Sequence, residues 1–181
     1  MAAAIAAWTD GRSRAVLLGG SHAAGHAVWR TSGGVRVPLS DLDLYVVVPD
    51  RAVQARAQRR MRDHAPALDL GDLASGIEVA FLTPADLAAL PARPGTLELE
   101  RHAVTLAGDP AWAERVPARD GRAVSREERA LLIENRAFEL LLAYEPLAAE
   151  AAGEGARLPA WHAVMKCRLE LAAARCLDAG E

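Results

Sequence analysis

Hydrophobic residues form short continuous runs in the first part of the chain and helical stripes in the second. A continuous apolar run of roughly four to eight residues, with turn residues on either side, is typical of a buried strand. Such runs predict three strands, at Arg14–Leu18, Leu42–Val48 and Gly76–Leu82. Val53, Ala57 and Met61 lie four residues apart and predict the inner stripe of a helix between the second and third strands.

Capping and turn residues predict further elements in this first part. Thr83-Pro84-Ala85-Asp86 supplies an N-cap, a proline at the first helical position and an acid at the third, which marks a helix start. The apolar N-terminus predicts a first helix over Met1–Trp8, and Ser21–Trp29 is expected to form another. A hairpin bend is expected at Gly33-Gly34, and one or two strands over Leu97–Ala107.

The last third of the chain carries the signals of a helical pair. Ser125-Arg126-Glu127-Glu128 is a capping box and begins a long helix. The apolar face of that helix comprises Ile133, Ala137, Leu140 and Leu141. Pro146 is placed to kink the helix and Gly153-Glu154-Gly155 to end it. A last helix is expected over Pro159–Leu177.

A linker with proline, glycine and charged residues, at 117–124, separates these helices from the strands. We therefore predict two domains, residues 1–116 and 125–181. The predicted fold class is α/β of the mixed, α+β kind: a small mixed sheet flanked by helices, followed by a C-terminal helical segment.

Composition indicates which classes of partner are unlikely and which cellular compartment is expected. The net charge of −3 gives no overall attraction to nucleic acid, so nucleic acid is an unlikely partner. No apolar run reaches the roughly eighteen residues that a membrane span needs. Cys167 and Cys176 fall in one helical stretch, too far apart to bridge, and they lack the spacing of a zinc site. A reducing cytoplasm is the expected location.

Two carboxylates stand at the start of the second strand, after a glycine turn. Asp41 and Asp43 are two positions apart and should project to one side of the strand, because strand side chains alternate. Parallel carboxylates repel unless a cation lies between them, and a divalent metal is the usual one. The Gly19-Gly20-Ser21 turn offers backbone N–H groups and a hydroxyl that can hold a phosphate.

A third acid, Glu78, lies inside an apolar strand. A carboxylate there is costly unless it is paired or bound to a metal. The alternative is an acid on an edge strand that faces water.

Together these residues resemble the nucleotidyltransferase superfamily of the DNA polymerase beta type. That superfamily includes aminoglycoside nucleotidyltransferases and the minimal nucleotidyltransferases of bacterial toxin–antitoxin pairs. The resemblance covers residues 14 to about 109 and includes the strand exit Leu106-Ala107-Gly108-Asp109. The chain departs from compact members in a longer loop between Ser21 and Asp41, and in having Glu where the third acid is more commonly Asp.

The resemblance implies the nucleotidyltransferase fold and a role for each residue. Gly20 and Ser21 would contact the triphosphate of a nucleoside triphosphate such as ATP. Asp41 and Asp43 would hold two Mg²⁺ ions, and Glu78 would be a third metal ligand or the base that deprotonates an acceptor. The implied reaction is in-line transfer of a nucleoside monophosphate to a hydroxyl of a small molecule or protein, with release of pyrophosphate. Lys166 could reach the triphosphate from the last helix.

Several alternatives compete with these assignments. The domain could be an inactive, antitoxin-type binding or regulatory module; a polymerase accessory fits poorly with the acidic net charge and 4% aromatic residues. His22 and His26 have zinc-compatible spacing but lack a third ligand, which favours solvent or phosphate-adjacent positions. The arginines of 51–62 fit a solvated helix face. The C-terminal helices are compatible with a homodimer or a helical partner chain.

Overall fold

The computed structural model describes residues 1–64, 76–145 and 154–179. The chain divides into two compact units. The sheet unit comprises Met1–Pro91 and Gly95–Arg119, and the helical unit comprises Ala92–Pro94 and Asp120–Glu181.

Six strands and five helices make up the described part of the sheet unit, with a 3-10 helix at its end. In chain order they are α1 (Ala2–Thr9), β1 (Ala15–Leu18), α2 (Gly20–Ala23), β2 (Trp29–Ser32), β3 (Val35–Pro38), β4 (Leu42–Val47), α3 (Arg51–His64), β5 (Ile77–Leu82), α4 (Pro84–Ala88), α5 (Pro94–His102), β6 (Val104–Gly108) and the 3-10 helix Pro110–Arg115.

Four of the strands form one mixed sheet in the order β5-β4-β1-β6. Strand β1 is antiparallel to β4 and β6, whereas β4 and β5 run parallel. Strands β2 and β3 form a separate antiparallel hairpin. The predicted mixed sheet with flanking helices and a C-terminal helical segment is therefore confirmed.

Both faces of the sheet are covered by hydrophobic side chains. On one face, Val16, Leu44 and Val46 pack with residues of α1 and α3, including the predicted inner stripe at Val53 and Ala57. On the other face, Leu17 and Val47 pack with Leu87 of α4, Leu99 of α5 and Trp112. Burial on both faces explains why β1 and β4 are continuous apolar runs in the sequence.

Two element predictions in the sheet unit were correct only in part. The helix expected over Ser21–Trp29 ends at Ala23, and Gly25 then takes a positive φ of 76° that a helix cannot continue through. The strands expected over Leu97–Ala107 are helix α5 followed by β6. Alternating Leu and Glu residues imitate a strand there, but packing of Thr96, Leu97 and Leu99 on the core favours the helix.

The helix start at Thr83 is confirmed and is fixed by side chains of Thr83, α3 and α4 and by one backbone carbonyl of β5. Thr83 and Asp86 form a capping box at the start of α4. Gln54 of α3 donates from Nε2 to Asp86 Oδ2 at 2.9 Å and to the carbonyl oxygen of Phe81 at 2.7 Å. Arg51 pairs with Asp86 at 2.6 Å. This polar network joins α3, β5 and α4 at one end of the sheet.

The helical unit contains two long helices, α6 (Arg126–Tyr144) and α7 (Glu154–Ala179), after a 3-10 helix at Gly121–Ala123. The predicted cap is confirmed, because Ser125 Oγ accepts from the backbone N–H of Glu128 at 3.2 Å. Helix α7 begins before the predicted start at Pro159. Pro146 and Gly153 lie outside the described residues. Within the described ranges, no helix combines the length and apolarity needed to cross a bilayer.

Candidate functional site

The glycine turn after β1 packs directly against β4. The backbone N–H of Gly19 donates to the carbonyl oxygen of Asp43 at 2.9 Å. A Cβ on Gly19 would lie 2.8 Å from Cε2 of Tyr45, and a Cβ on Gly20 would overlap the carboxylate oxygen Oδ2 of Asp43. Gly20 also has a positive φ of 58°. Glycine is therefore required at both positions, and the turn leaves its backbone close to the Asp43 carboxylate.

Asp43 and Glu78 are direct neighbours across the parallel strands β4 and β5. Their Cα atoms are register partners, followed by Tyr45 with Ala80 and Val47 with Leu82. Residues in direct register share a face, and neighbouring strands lie about 4.8 Å apart. Asp43 is half-buried and Glu78 is exposed on β5, which lies at the end of the strand order. Glu78 thus faces water, as an edge-strand acid does, and still stands beside Asp43.

The pKa of Tyr45 is affected by the negative charge of this face. Burial, followed by the charges of Asp43, Glu78 and Glu98, raises the pKa of the Tyr45 hydroxyl to about 12. Glu98 belongs to α5, so carboxylates from three elements, β4, β5 and α5, act on this phenol. Sequence analysis missed Glu98 because it lies in the segment predicted as strand, and only the tertiary packing of α5 brings it here.

The other predicted site residues are placed as follows. Asp41 precedes β4, which begins at Leu42, so strand alternation does not extend to it and its alignment with Asp43 stays a prediction. Ser21 follows Gly20 in the short helix α2 and is half-buried. Lys166 belongs to the helical unit, with Nζ 3.9 Å from Oε2 of Glu139. A role of Lys166 at the triphosphate also stays a prediction.

Carboxylate oxygens are the ligands that Mg²⁺ prefers, so Asp43 and Glu78 fit that ion chemically. Across residues 1–64, 76–145 and 154–179, however, no group of three or more His, Cys, Asp or Glu side chains is arranged to hold a metal. The structure therefore brings together a pair of candidate ligands, and the predicted set of Asp41, Asp43 and Glu78 as metal ligands stays a prediction.

Comparison with known proteins adds little beyond this geometry. No family model matches the chain, and no curated protein matches it. Four chains of solved structures match, one of them described as "Crystal structure of the toxin-antitoxin with AMP-PNP". It is 14% identical with a TM-score of 0.35, over 80% of this chain and 94% of that chain. A likeness this remote carries no argument about function.

Proposed function

We propose that the sheet unit is a metal-dependent nucleotidyltransferase. It would move a nucleoside monophosphate from a nucleoside triphosphate, such as ATP, to a hydroxyl of a small molecule or protein and release pyrophosphate. The observation that supports this is the packing of the Gly19-Gly20 turn on Asp43, with Glu78 in register beside it. A side-chain-free turn and two adjacent carboxylates are the parts that phosphate binding and phosphoryl chemistry require.

The turn would bind the triphosphate. The Asp43 carboxylate fills the position that a side chain on Gly20 would take, so a phosphate bound at this turn would lie beside Asp43. Ser21 adds a hydroxyl next to Gly20. The neighbouring carboxylates would repel a bare polyphosphate. Asp43 and Asp41 would hold Mg²⁺, and bound Mg²⁺ would offset the negative charge of the phosphate oxygens.

Glu78 would act on the acceptor. Its carboxylate is exposed, so it can accept the proton of an incoming hydroxyl group. The hydroxyl oxygen would then form a bond to the α-phosphorus while the bond from that phosphorus to pyrophosphate breaks. Asp43, half-buried beneath the glycine turn, is better placed to orient the nucleotide than to exchange protons with solvent.

Substitution of Glu78 tests the proposal. Glu78→Gln should bind nucleotide normally. Its rate of pyrophosphate release, measured with Mg²⁺, labelled nucleoside triphosphates and candidate acceptors, should fall by about 100-fold or more. Glu114→Gln, an exposed acid elsewhere in the sheet unit, is the matched control and should retain full turnover. Equal turnover of the Glu78→Gln and Glu114→Gln proteins would contradict the role of Glu78.

The second candidate is a non-catalytic, antitoxin-type binding or regulatory module. The observation that favours it is that the described residues assemble no three-ligand metal site. In that case no nucleoside triphosphate yields pyrophosphate with any acceptor, and Glu78→Gln changes stability alone. A protein partner, either a second copy or a helical chain, then becomes the object of study.

A further inference from the structure

The β2–β3 hairpin, residues 29–38, is anchored immediately before Asp41. Its strands pair from Trp29 with Pro38 to Ser32 with Val35, and it is separate from the four-stranded sheet. At its base, the backbone N–H of Leu39 donates to the carbonyl oxygen of Val28 at 2.7 Å. The backbone N–H of Val28 in turn donates to Ser40 Oγ at 3.0 Å. The base of the hairpin is thereby fixed beside the start of β4.

His22 connects the hairpin to the glycine turn. It follows Gly20 by two residues, and its Nε2 lies 3.1 Å from the carbonyl oxygen of Ser40. Its ring centroid lies 5.3 Å from that of Trp29, with the two planes at 83°. Direct contacts therefore run from the turn that packs on Asp43, through His22, to the ring of Trp29.

The hairpin presents an aromatic ring and a cation to solvent. Trp29 is 42% exposed, whereas Trp8 and Trp112 of the same unit are 4% and 5% exposed. The guanidinium carbon of Arg36 lies 5.0 Å from the Trp29 ring centroid. Among the residues that the structure describes, Arg36 has no carboxylate partner, in contrast to Arg12, Arg51, Arg56 and Arg60 of this unit, which pair with aspartates.

We propose that this hairpin binds the nucleotide, with Trp29 stacking on the base and Arg36 contributing positive charge for the phosphates. The proposal rests on the proposed function and names the element that recognises the nucleoside part. Every base has an aromatic face that can stack on tryptophan, and guanidinium groups pair well with phosphate oxygens. The carboxylates of Asp43, Glu78 and Glu98 act on the face that carries Tyr45 and would repel an anionic ligand. A cation on the hairpin would offset part of that repulsion. The hairpin also lies in the segment between Ser21 and Asp41.

Tryptophan fluorescence isolates this contact. The chain has four tryptophans, and Trp161 of the helical unit is the other exposed one. In a Trp161→Phe protein with Mg²⁺ present, ATP, CTP, GTP or UTP should quench the fluorescence of Trp29. Inorganic tripolyphosphate, which has no base, should bind without quenching.

Three variants in that background complete the test. Isothermal titration calorimetry measures the affinities, because Trp29→Leu removes the fluorescent reporter. Trp29→Leu should weaken binding of the quenching nucleotide about 10-fold and leave tripolyphosphate affinity unchanged, because stacking is lost while phosphate contacts remain. Arg36→Gln should weaken both ligands. Arg115→Gln, which removes an equivalent cation from the ring of Trp112 at 4.2 Å, is the matched control and should weaken neither. Circular dichroism verifies the fold of each variant.

Each other outcome has a distinct meaning. If Trp29→Leu leaves nucleotide affinity unchanged while Gly20→Val abolishes it, the hairpin proposal is wrong and the proposed function stands. If a single-stranded oligonucleotide quenches Trp29 at lower concentration than any nucleotide, the hairpin is a nucleic-acid element and the proposal is overturned. If the wild-type protein binds no nucleoside triphosphate, both the hairpin proposal and the proposed function fail.

Discussion

The two units of the chain place their hydrophobic side chains differently. In the sheet unit, hydrophobic residues of β1, β4, α1, α3 and α4 are buried, and most of the large exposed ones lie on the β2–β3 hairpin and on β6. In the helical unit, many large hydrophobic side chains of both helices are exposed: Leu131, Phe138, Leu141, Leu142 and Tyr144 on α6, and Trp161, Met165 and Leu169 on α7. The sheet unit therefore has an internal core, and the helical unit has surplus apolar surface.

Geometry explains the difference. A sheet between two helical layers buries both of its faces, so the residues of a strand contribute to a hydrophobic core whichever face they point to. Two packed helices bury only one stripe each, and in the helical unit small side chains at Ala160 and Ala163 fill part of that stripe. The outer positions of α6 and α7 thus contribute little to the folding of their own unit.

The largest expected effect separates a core leucine from an exposed one. Leu17 is fully buried in the sheet unit, so Leu17→Ala should lower the free energy of unfolding by about 2–5 kcal/mol. Leu141 is 70% exposed, so Leu141→Ala should change it by only about 0.5 kcal/mol. Urea denaturation followed by circular dichroism measures both. Equal losses of stability would mean that Leu141 is buried in solution, which would contradict the described difference in hydrophobic burial between the two units.

A glycine pair sharpens the description of the sheet unit. Gly108 has a φ of 86°, and a Cβ there would overlap the carbonyl oxygen of Arg14 and lie 2.7 Å from the Cα of Ala15. Gly25 has a similar φ of 76° with open space around it. Gly108→Ala should therefore cost about 1–3 kcal/mol more than Gly25→Ala, because both incur backbone strain and only Gly108 incurs overlap. Equal thermal unfolding midpoints for the two variants would show that β1 and β6 do not approach this closely.

The sequence predicted those parts of the fold that local patterns determine. Apolar runs identified β1, β4 and β5, and the spacing of Val53, Ala57 and Met61 identified the buried side of α3, because both reflect burial in a layered fold. The Thr83 capping box was equally local. Helix α5 was missed because Leu97 and Leu99 alternate with acids as in a strand, and tertiary packing decided between the two structures.

The candidate site was predictable only where it is local in sequence. The Gly19-Gly20 turn and Asp43 follow from motif and strand register. The proximity of Glu98 to Tyr45 depends on how α5 packs, and the contact of His22 with Trp29 depends on a hairpin that the sequence showed only as a bend. Long-range juxtapositions of this kind leave no periodic signal in one sequence.

The polar network of the sheet unit predicts a sensitivity to acid. Burial acts to raise the pKa of Asp86, but hydrogen bonds from Thr83 and Gln54 and the charge of Arg51 outweigh it, so the pKa is lowered. The stability contributed by this carboxylate is present above the unfolded-state pKa of about 4 and is lost as the pH falls through the lower folded-state value. Asp86→Asn should lower the free energy of unfolding by about 1 kcal/mol at neutral pH. The further loss of stability between neutral and acidic pH should be smaller in this variant than in the wild type.

Unfolding midpoints of wild-type, Asp86→Asn and Asp63→Asn proteins, measured from pH 7 downward, provide the check. Asp63 is exposed on α3 and serves as the charge-matched control. If Asp86→Asn and wild type lose stability in parallel, the carboxylate is not held in the network described.

The smallest expected effect concerns the two tyrosines, one in each unit. Tyr45 is half-buried among acids and Tyr144 is 66% exposed. Burial, then the charges of Asp43, Glu78 and Glu98, hold the pKa of Tyr45 at about 12, so in a Tyr144→Phe protein tyrosinate absorbance should rise only near that pH. The contribution of Tyr45 to stability is complete below its ordinary pKa of about 10 and is lost as the pH rises through about 12.

Removing the neighbouring charges tests whether the acidic face exists. Asp43→Asn and Glu78→Gln should each lower the Tyr45 titration midpoint, because a neutral side chain no longer opposes formation of tyrosinate. Glu114→Gln should leave the midpoint unchanged, and circular dichroism at each pH confirms that the titrated state is folded. Burial would still hold the pKa of Tyr45 above its ordinary value in the variants, since it is the largest cause of the shift. If the titration midpoint of Tyr45 is the same in both variants as in the wild type, burial alone raises its pKa. The charges of Asp43 and Glu78 would then not act on this face as the proposed metal site requires.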